Sequence, residues 1–333
     1  MPQFDVTIAG ELNLDLILYG LPAELPEERE LLAERMMLTL GSSSAIVAHN
    51  LAALGCRVGF VSRIGDDPLG QIAVDRLAAG AVDVSKVRRV EGESKTGLTV
   101  ILQRQQRRNI LTYPGTIFDL TPADLDFDYL ADSGHFHLSS YYLQRGLTPH
   151  VGEILGKLKA AELTISLDTN DDPENTWAAG LLEVLRYVDV FLPNARELKL
   201  IAGTDDFEKA VARVAKLVPV LVVKMGEEGA LAQRGGERIT SPAVKVQFVD
   251  PVGAGDSFDA GFLSRYVRGA DLQTCLEWGN RAGAWSTTQP GGTEAFRDRD
   301  ATAGFMGNAI GSSGHRVIGS SGHRVIGSSE KRS

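Results

Sequence analysis

The chain has 333 residues, 43% of them hydrophobic and 23% charged, which is globular make-up with room for one large α/β domain or two smaller ones. Asp and Glu outnumber Lys and Arg by 43 to 34, a formal net charge of −9, so a general nucleic-acid binder is disfavoured and no nucleic acid is expected as a partner. The two cysteines, Cys56 and Cys275, stand outside any CxxC motif or His cluster, which argues against a disulfide framework or structural zinc and fits a reducing compartment. No apolar run approaches the roughly 18 residues of a membrane span. The start, MPQFDVTIAGELNLD, lacks the basic and apolar regions of a signal peptide, so a cytoplasmic location away from membranes is the expectation.

In chain order, FDVTIAG (4–10) is a short apolar run ending in glycine, as a buried strand does. SAIVAHNLAALG (44–55) has helical spacing and ends on Gly55, a C-cap residue. CRVGFVSRIG (56–65), LTVILQRQ (98–105) and RNILTYPG (108–115) read as strands. Strands and helices then alternate: HFHLSS (135–140), helix 150–162, LTISLDTN (163–170), helix 176–187, VDVFLPN (188–194), helix 206–217 and VPVLVVKMG (218–226). Alternation of this kind means βαβ units and a mostly parallel sheet, whose ligands sit beyond the carboxyl ends of the strands. Those ends are polar at Asn13–Asp15, Asp168–Asn170, Asn194–Glu197, Lys224–Gly226 and Asp250–Asp256. The last stretch, 310–333, repeats the octad IGSSGHRV twice and begins it a third time, a Ser/Gly-rich appendage without apolar period.

The segment DPVGAGDSFDAGFL (250–263) carries the clearest chemistry. Asp250 and Pro251 end a strand, Gly253, Ala254 and Gly255 permit a tight turn, and a helix follows, so successive backbone N–H groups point outward as an anion site. Asp256 falls in the first helical turn, where a carboxylate is favoured with or without a ligand. A glycine turn with an acidic helix start is one reading. In the other, the N–H groups hold a phosphoryl group in transfer while Asp256 accepts the proton of a substrate hydroxyl.

At these residues the chain resembles the ribokinase-like (PfkB) family of sugar and nucleoside kinases, over roughly residues 4–300. The resemblance implies a three-layer α/β/α fold with a mostly parallel central sheet and a small β-sheet lid, with lid strands near 11–18 and 96–113. It implies one kinase domain over 1–305, a low-complexity tail over 306–333, Asp256 as catalytic base, and Gly253, Ala254 and Gly255 as the anion hole. GELNLDL (10–16) is similar to the family's first strand end, which places Asn13 and Asp15 on sugar hydroxyls. LGSSSAIVAHNLAALG (40–55) stands where the family has a GG-x-x-x-N signature, which places Gly41, Ser42 and Ser43 at the substrate; Ser42 replaces the second glycine and Ile46 the asparagine, which leaves the substrate open. PNARE (193–197) matches an Asn-x-x-Glu element that organises Mg²⁺ and its waters through Asn194 and Glu197. Asn194, Lys224, Gly226 and Asn280 would meet ATP, and Asp250 and Val252 resemble a monovalent-cation (K⁺) region. Lid strands of the family pair between subunits, which implies a homodimer. The expectation is an ATP-dependent kinase of a small sugar or sugar acid. A nucleoside kinase of the same fold and a non-catalytic sugar- or nucleotide-binding relative remain as alternatives. No P-loop, dinucleotide fingerprint or nucleophile elbow occurs in the chain.

Overall fold

The computed structural model describes residues 2–104, 107–178 and 180–307. Its strands are β1 (Val6–Ala9), β2 (Leu14–Tyr19), β3 (Arg35–Leu40), β4 (Val58–Gly65), β5 (Asp83–Val90), β6 (Leu98–Arg104), β7 (Arg107–Tyr113), β8 (His135–Leu138), β9 (Thr164–Leu167), β10 (Val190–Phe191), β11 (Val220–Lys224), β12 (Ala230–Arg234) and β13 (Glu237–Ser241). Its helices are α1 (Ser43–Ala53), α2 (Pro68–Ala79), α3 (Phe127–Ala131), α4 (Val151–Ala160), α5 (Leu181–Val184), α6 (Ala195–Ala202), α7 (Phe207–Val214), α8 (Ala254–Tyr266), α9 (Leu272–Ser286) and α10 (Arg299–Gly307).

Nine strands form the large sheet in the order β13-β12-β11-β10-β9-β8-β1-β4-β5. It is parallel from β11 to β5, with β12 and β13 added antiparallel as a terminal hairpin. Both faces are covered, which is why its central strands read as unbroken apolar runs. In β11, Val220 and Val222 face α1, α2, α8 and α9, while Leu221 and Val223 face the layer built from α3 to α7. The expected three-layer α/β/α fold with a mostly parallel sheet is therefore what the chain adopts.

A second sheet, β3-β2-β6-β7, stands over the carboxyl end of β1. β2 pairs in parallel with β6, and the other two pairings are antiparallel. Ile17 of β2 and Ile101 of β6 pack with Val252, so the underside of this lid rests on the loop before α8. Among the described residues no helix is long and apolar enough to cross a membrane.

Three details differ from the sequence expectation. The helix expected over 176–187 shrinks to α5 and a 3₁₀ turn, Leu185–Tyr187. The Asp172 carboxylate accepts from the N–H groups of Glu174, Thr176 and Trp177 and winds that stretch into a loop, and Gly180 at φ 72° begins the helix late. No strand precedes Asp250: residues 242–249 run irregularly, and Val249 and Asp250 donate to the carbonyl of Thr287 instead of a sheet neighbour. Finally, α10 continues through Gly307 with Met306 buried against Phe296, past the boundary expected at 305. Residues 308–333, with the repeated octad, and Gln105, the end of a predicted strand, lie outside the described residues.

Candidate active site

The turn before α8 has the shape its glycines predict. Gly253 sits at φ 72°, and a Cβ there would lie 2.4 Å from Cα of Gly292, so any side chain is excluded by conformation and by contact. Ala254 N–H bonds to the Pro251 carbonyl at 3.3 Å and Ser257 N–H to the Gly253 carbonyl at 2.9 Å. Between them, the N–H groups of Gly255 and Asp256 take no partner among the described residues. Two free donors stand at the positive end of a thirteen-residue helix, where the field favours an anion.

Asp256 is buried in the first turn of α8, where its Oδ1 accepts from Asn170 Nδ2 at 3.2 Å. Burial and the charge of Asp168 push its carboxyl above the usual range, while Lys224, Asn170 and Ser43 oppose that shift. A carboxylate made more basic in this way is suited to accept a hydroxyl proton. Ser43, the first residue of α1, thus acts on the Asp256 carboxyl.

Across from the turn, β2 presents Asp15, which is buried and raised to about 7 by burial and by the charges of Asp256 and Asp250. Thr99, its register partner on β6, acts in the opposite direction. Gly41 makes room for this group: a Cβ there would stand 2.1 Å from Asp15 Oδ1 and 2.7 Å from Asn13 Nδ2. Asn13 is buried beside them. Ser42 caps α1 at φ 66°, donating to the Glu11 carbonyl at 2.5 Å and accepting from Ala45 N–H, so its hydroxyl serves the backbone. Ile46 packs against Gly253 and Gly292 beneath the anion turn. One helical turn later Asn50 supplies an amide: its Nδ2 donates to Ser257 Oγ and to the Gly292 carbonyl, both at 3.0 Å.

The strand ends on the other side carry a buried ion-pair cluster. Lys224 Nζ lies 2.7 Å from Asp168 Oδ2 and 3.1 Å from Asp259 Oδ1, and a Cβ on Gly255 would be 3.7 Å from that ammonium. Lys224 thus supports the anion turn from below, through two carboxylates. Asp168 and Asp259 push its pKa up against burial. Asn194 and Glu197 form a reciprocal capping box at the start of α6, with Asn194 Oδ1 accepting from Arg196 and Glu197 N–H and Glu197 Oε2 accepting from Asn194 N–H at 2.9 Å. Burial and Asp168 raise Glu197 to about 7. Negative charge in excess of the single Lys224 cation, on a side chain already oriented by its cap, fits a hydrated Mg²⁺ held through water. Gly226 turns the chain at φ 60° with open space above it, and Asn280 donates to the carbonyls of Ser241 and Pro242 at 3.0 and 3.1 Å, fixing the segment that leads back to Asp250.

Asp250 accepts from three protein donors, Val252 N–H at 3.0 Å on Oδ1 and Tyr19 Oη at 2.8 Å and Gly291 N–H at 3.3 Å on Oδ2. Tyr19, Asn170, Asp168 and Asp259 carry parts of this arrangement that their sequence context did not assign. In the sequence Asp168 and Asn170 stand out only as a polar strand end.

The pfkB family carbohydrate kinases match this chain over residues 3–299. The chain is 29% identical to the 2-dehydro-3-deoxygluconokinase of Bacillus subtilis, across 80% of this chain and 86% of that protein. It is 25% identical to the adenosine kinase of Sinorhizobium meliloti, with a TM-score of 0.79, covering 90% of this chain and 99% of that one. It superposes at a TM-score of 0.80 and 24% identity on a putative Ribokinase II from E. coli in complex with ATP and Mg²⁺, covering 91% and 99% of the two chains. With the donor turn, its buried aspartate and the lid aspartate in one cleft, the chain belongs to the pfkB family of carbohydrate kinases and is a phosphotransferase with an alcohol group as acceptor.

Proposed function

We propose that this kinase transfers the γ-phosphoryl group of ATP to one hydroxyl of a small sugar or sugar acid, with Asp256 as the base. The observation that carries the reading is the juxtaposition of two free N–H groups, of Gly255 and Asp256, with the buried Asp256 carboxylate and, across the cleft, the buried Asp15.

The substrate lies under the lid, its hydroxyls bound by Asp15 and Asn13, whose side chains pack over Gly41, with Ser43 beside Asp256. Asn170 holds Asp256 Oδ1, which orients the other oxygen toward the acceptor hydroxyl. The hydroxyl oxygen attacks the γ-phosphorus, the bond to the β–γ bridging oxygen breaks to release ADP, and the hydroxyl proton passes to Asp256. The amides of Gly255 and Asp256 meet the charge on the transferring group, and Lys224 beneath them offsets the charges of Asp168 and Asp259. Mg²⁺, when bound with ATP, neutralises phosphate charge; Asn194 and Glu197 would hold it through water. ATP lies along the Lys224–Gly226 and Asn280 side. The relative solved with ATP and Mg²⁺ supports the use of that pair. Asp250 and Val252 are the residues that would stand beside a K⁺ ion. We read residues 1–305 as one kinase domain, and the wholly exposed β7, with Ile110, Leu111 and Tyr113 outward, as the surface through which two lids pair in a cytoplasmic homodimer.

ADP release measured across pentoses, hexoses, keto-deoxy acids and nucleosides tests the reading. Turnover with a sugar or sugar acid is expected. Turnover with nucleosides alone would replace the sugar by a nucleoside, the outcome the adenosine kinase resemblance allows for. No release with any acceptor would leave only a binding protein.

A further inference from the structure

Behind the catalytic turn, a cavity of about 240 Å³ opens between α1, α2 and the segment that leads into α10. Arg76, Arg297 and Arg299 face it, with Glu294 as the one acidic side chain in its lining and His49 in its wall. Glu294 is shared: Oε1 accepts from Arg76 Nη1 at 3.1 Å and from Thr39 Oγ1 at 2.9 Å, and Oε2 accepts from Arg297 Nη1 at 3.0 Å. Arg299 donates only to the carbonyls of Ala52 and Gly80, and among the described residues no carboxylate lies within ion-pair distance of it. The lining therefore carries more positive than negative charge in a concave setting, which concentrates anions. His49 is buried, and burial together with the charges of Arg299 and Arg297 holds its ring below the usual imidazole range. It adds no competing carboxylate and leaves the guanidinium forks as the dominant recognition elements. Phe296, Leu40 and Ala53 supply an apolar wall.

We propose that this cavity binds a small phosphate-bearing metabolite, with Arg297 and Arg299 on the oxyanion and the apolar wall on the organic part. Guanidinium groups match phosphate oxygens two at a time, and the volume exceeds what phosphate alone would fill. Two hydrogen-bonded links run from this site to the cleft. His49 Nδ1 meets Asn50 Oδ1 at 2.9 Å, and Asn50 holds Ser257, the residue after Asp256, and the Gly292 carbonyl. Glu294 holds Thr39, which is the register partner of Asp15 in the lid. An anion that draws Arg76 or Arg297 from Glu294 alters the support of Thr39, so occupancy is read out at the sugar-binding carboxylate. The binding claim stands apart from the catalytic reading; the coupling rests on it.

The test is a titration of the full chain with inorganic phosphate and with glycerol 3-phosphate. It is done with the cleft saturated by a non-hydrolysable ATP analogue, so that the anion turn of α8 takes neither probe. One probe molecule per chain is expected to bind, glycerol 3-phosphate more tightly than phosphate. Arg297→Glu should weaken binding at least about tenfold. Arg297 is exposed and, among the described residues, its ion pair is with Glu294, so the variant's fold is expected to survive, with the urea midpoint as the check. Arg299→Gln provides a second variant. Absence of stoichiometric binding by the wild type, or equal affinity in the wild type and both variants, would overturn the site. In the kinetic arm, glycerol 3-phosphate should shift KM for the sugar in the wild type and not in Arg297→Glu. Binding without any shift in KM would overturn the coupling while leaving the catalytic assignment intact.

Discussion

Asp15 and Asp256 are both buried carboxylates, and the charge of Asp256 helps to raise Asp15. Asp15 sits at about 7 in the fold against 3.8 when free. Between those values the folded chain retains a proton the unfolded chain has lost, so this group reduces stability as pH rises from the free to the folded value. Asp15→Asn, neutral at every pH, should therefore raise Tm at about pH 8 and change it little at about pH 4, with a ceiling on the order of 4 kcal/mol; a pH series of thermal melts checks this. Asp15→Ala should raise KM for the sugar far more than KM for ATP, and equal effects on both would remove Asp15 from the substrate. At this scale the sequence was informative where chemistry is written in adjacent residues. The string from Asp250 to Asp256 names its turn and its acid because the turn is local. Asn170, whose amide holds Asp256, lies 86 positions away, and only the sheet brings the two together.

The strand ends and the starts of α1, α6 and α8 place nearly every polar group of the cleft, and one buried lysine ties three elements. Lys224 at the end of β11 bridges Asp168 after β9 and Asp259 on α8. Lys224→Met leaves two buried carboxylates without their cation and should cost about 3–5 kcal/mol, read from urea unfolding. Adding Asp168→Asn and Asp259→Asn should recover much of that loss, whereas no recovery would mean that the ion pairs are not what the lysine supplies. β11 itself was legible as an apolar run, but the partners of Lys224 were not. The same limit hid β3: RMMLTL follows a Pro- and Glu-rich stretch over 21–34 and acquires strand character only by pairing with β2. It also explains the missing strand before Asp250, where an apolar VQFV is diverted to Thr287.

For the molecule as a whole, alternation of strands and helices indicated the layered sheet, and the lid's second sheet followed only partly, because its strands come from separated stretches of chain. The lid also sets the proposed assembly. Its edge strand β7 exposes Ile110, Leu111 and Tyr113 by more than half, an apolar edge of the kind that recruits a partner. Sedimentation should find a dimer, and Leu111→Glu should shift it to monomer; an unchanged monomer in both would remove the lid interface. In the proposed mechanism all of this serves one event, the passage of a hydroxyl proton to Asp256 as the phosphoryl group crosses above Gly255 and Asp256. The most direct measurement is kcat and ATP affinity of Asp256→Asn with the best acceptor. A loss of kcat of roughly a hundredfold to ten-thousandfold with ATP binding little changed is predicted; turnover near the wild-type rate would contradict the account.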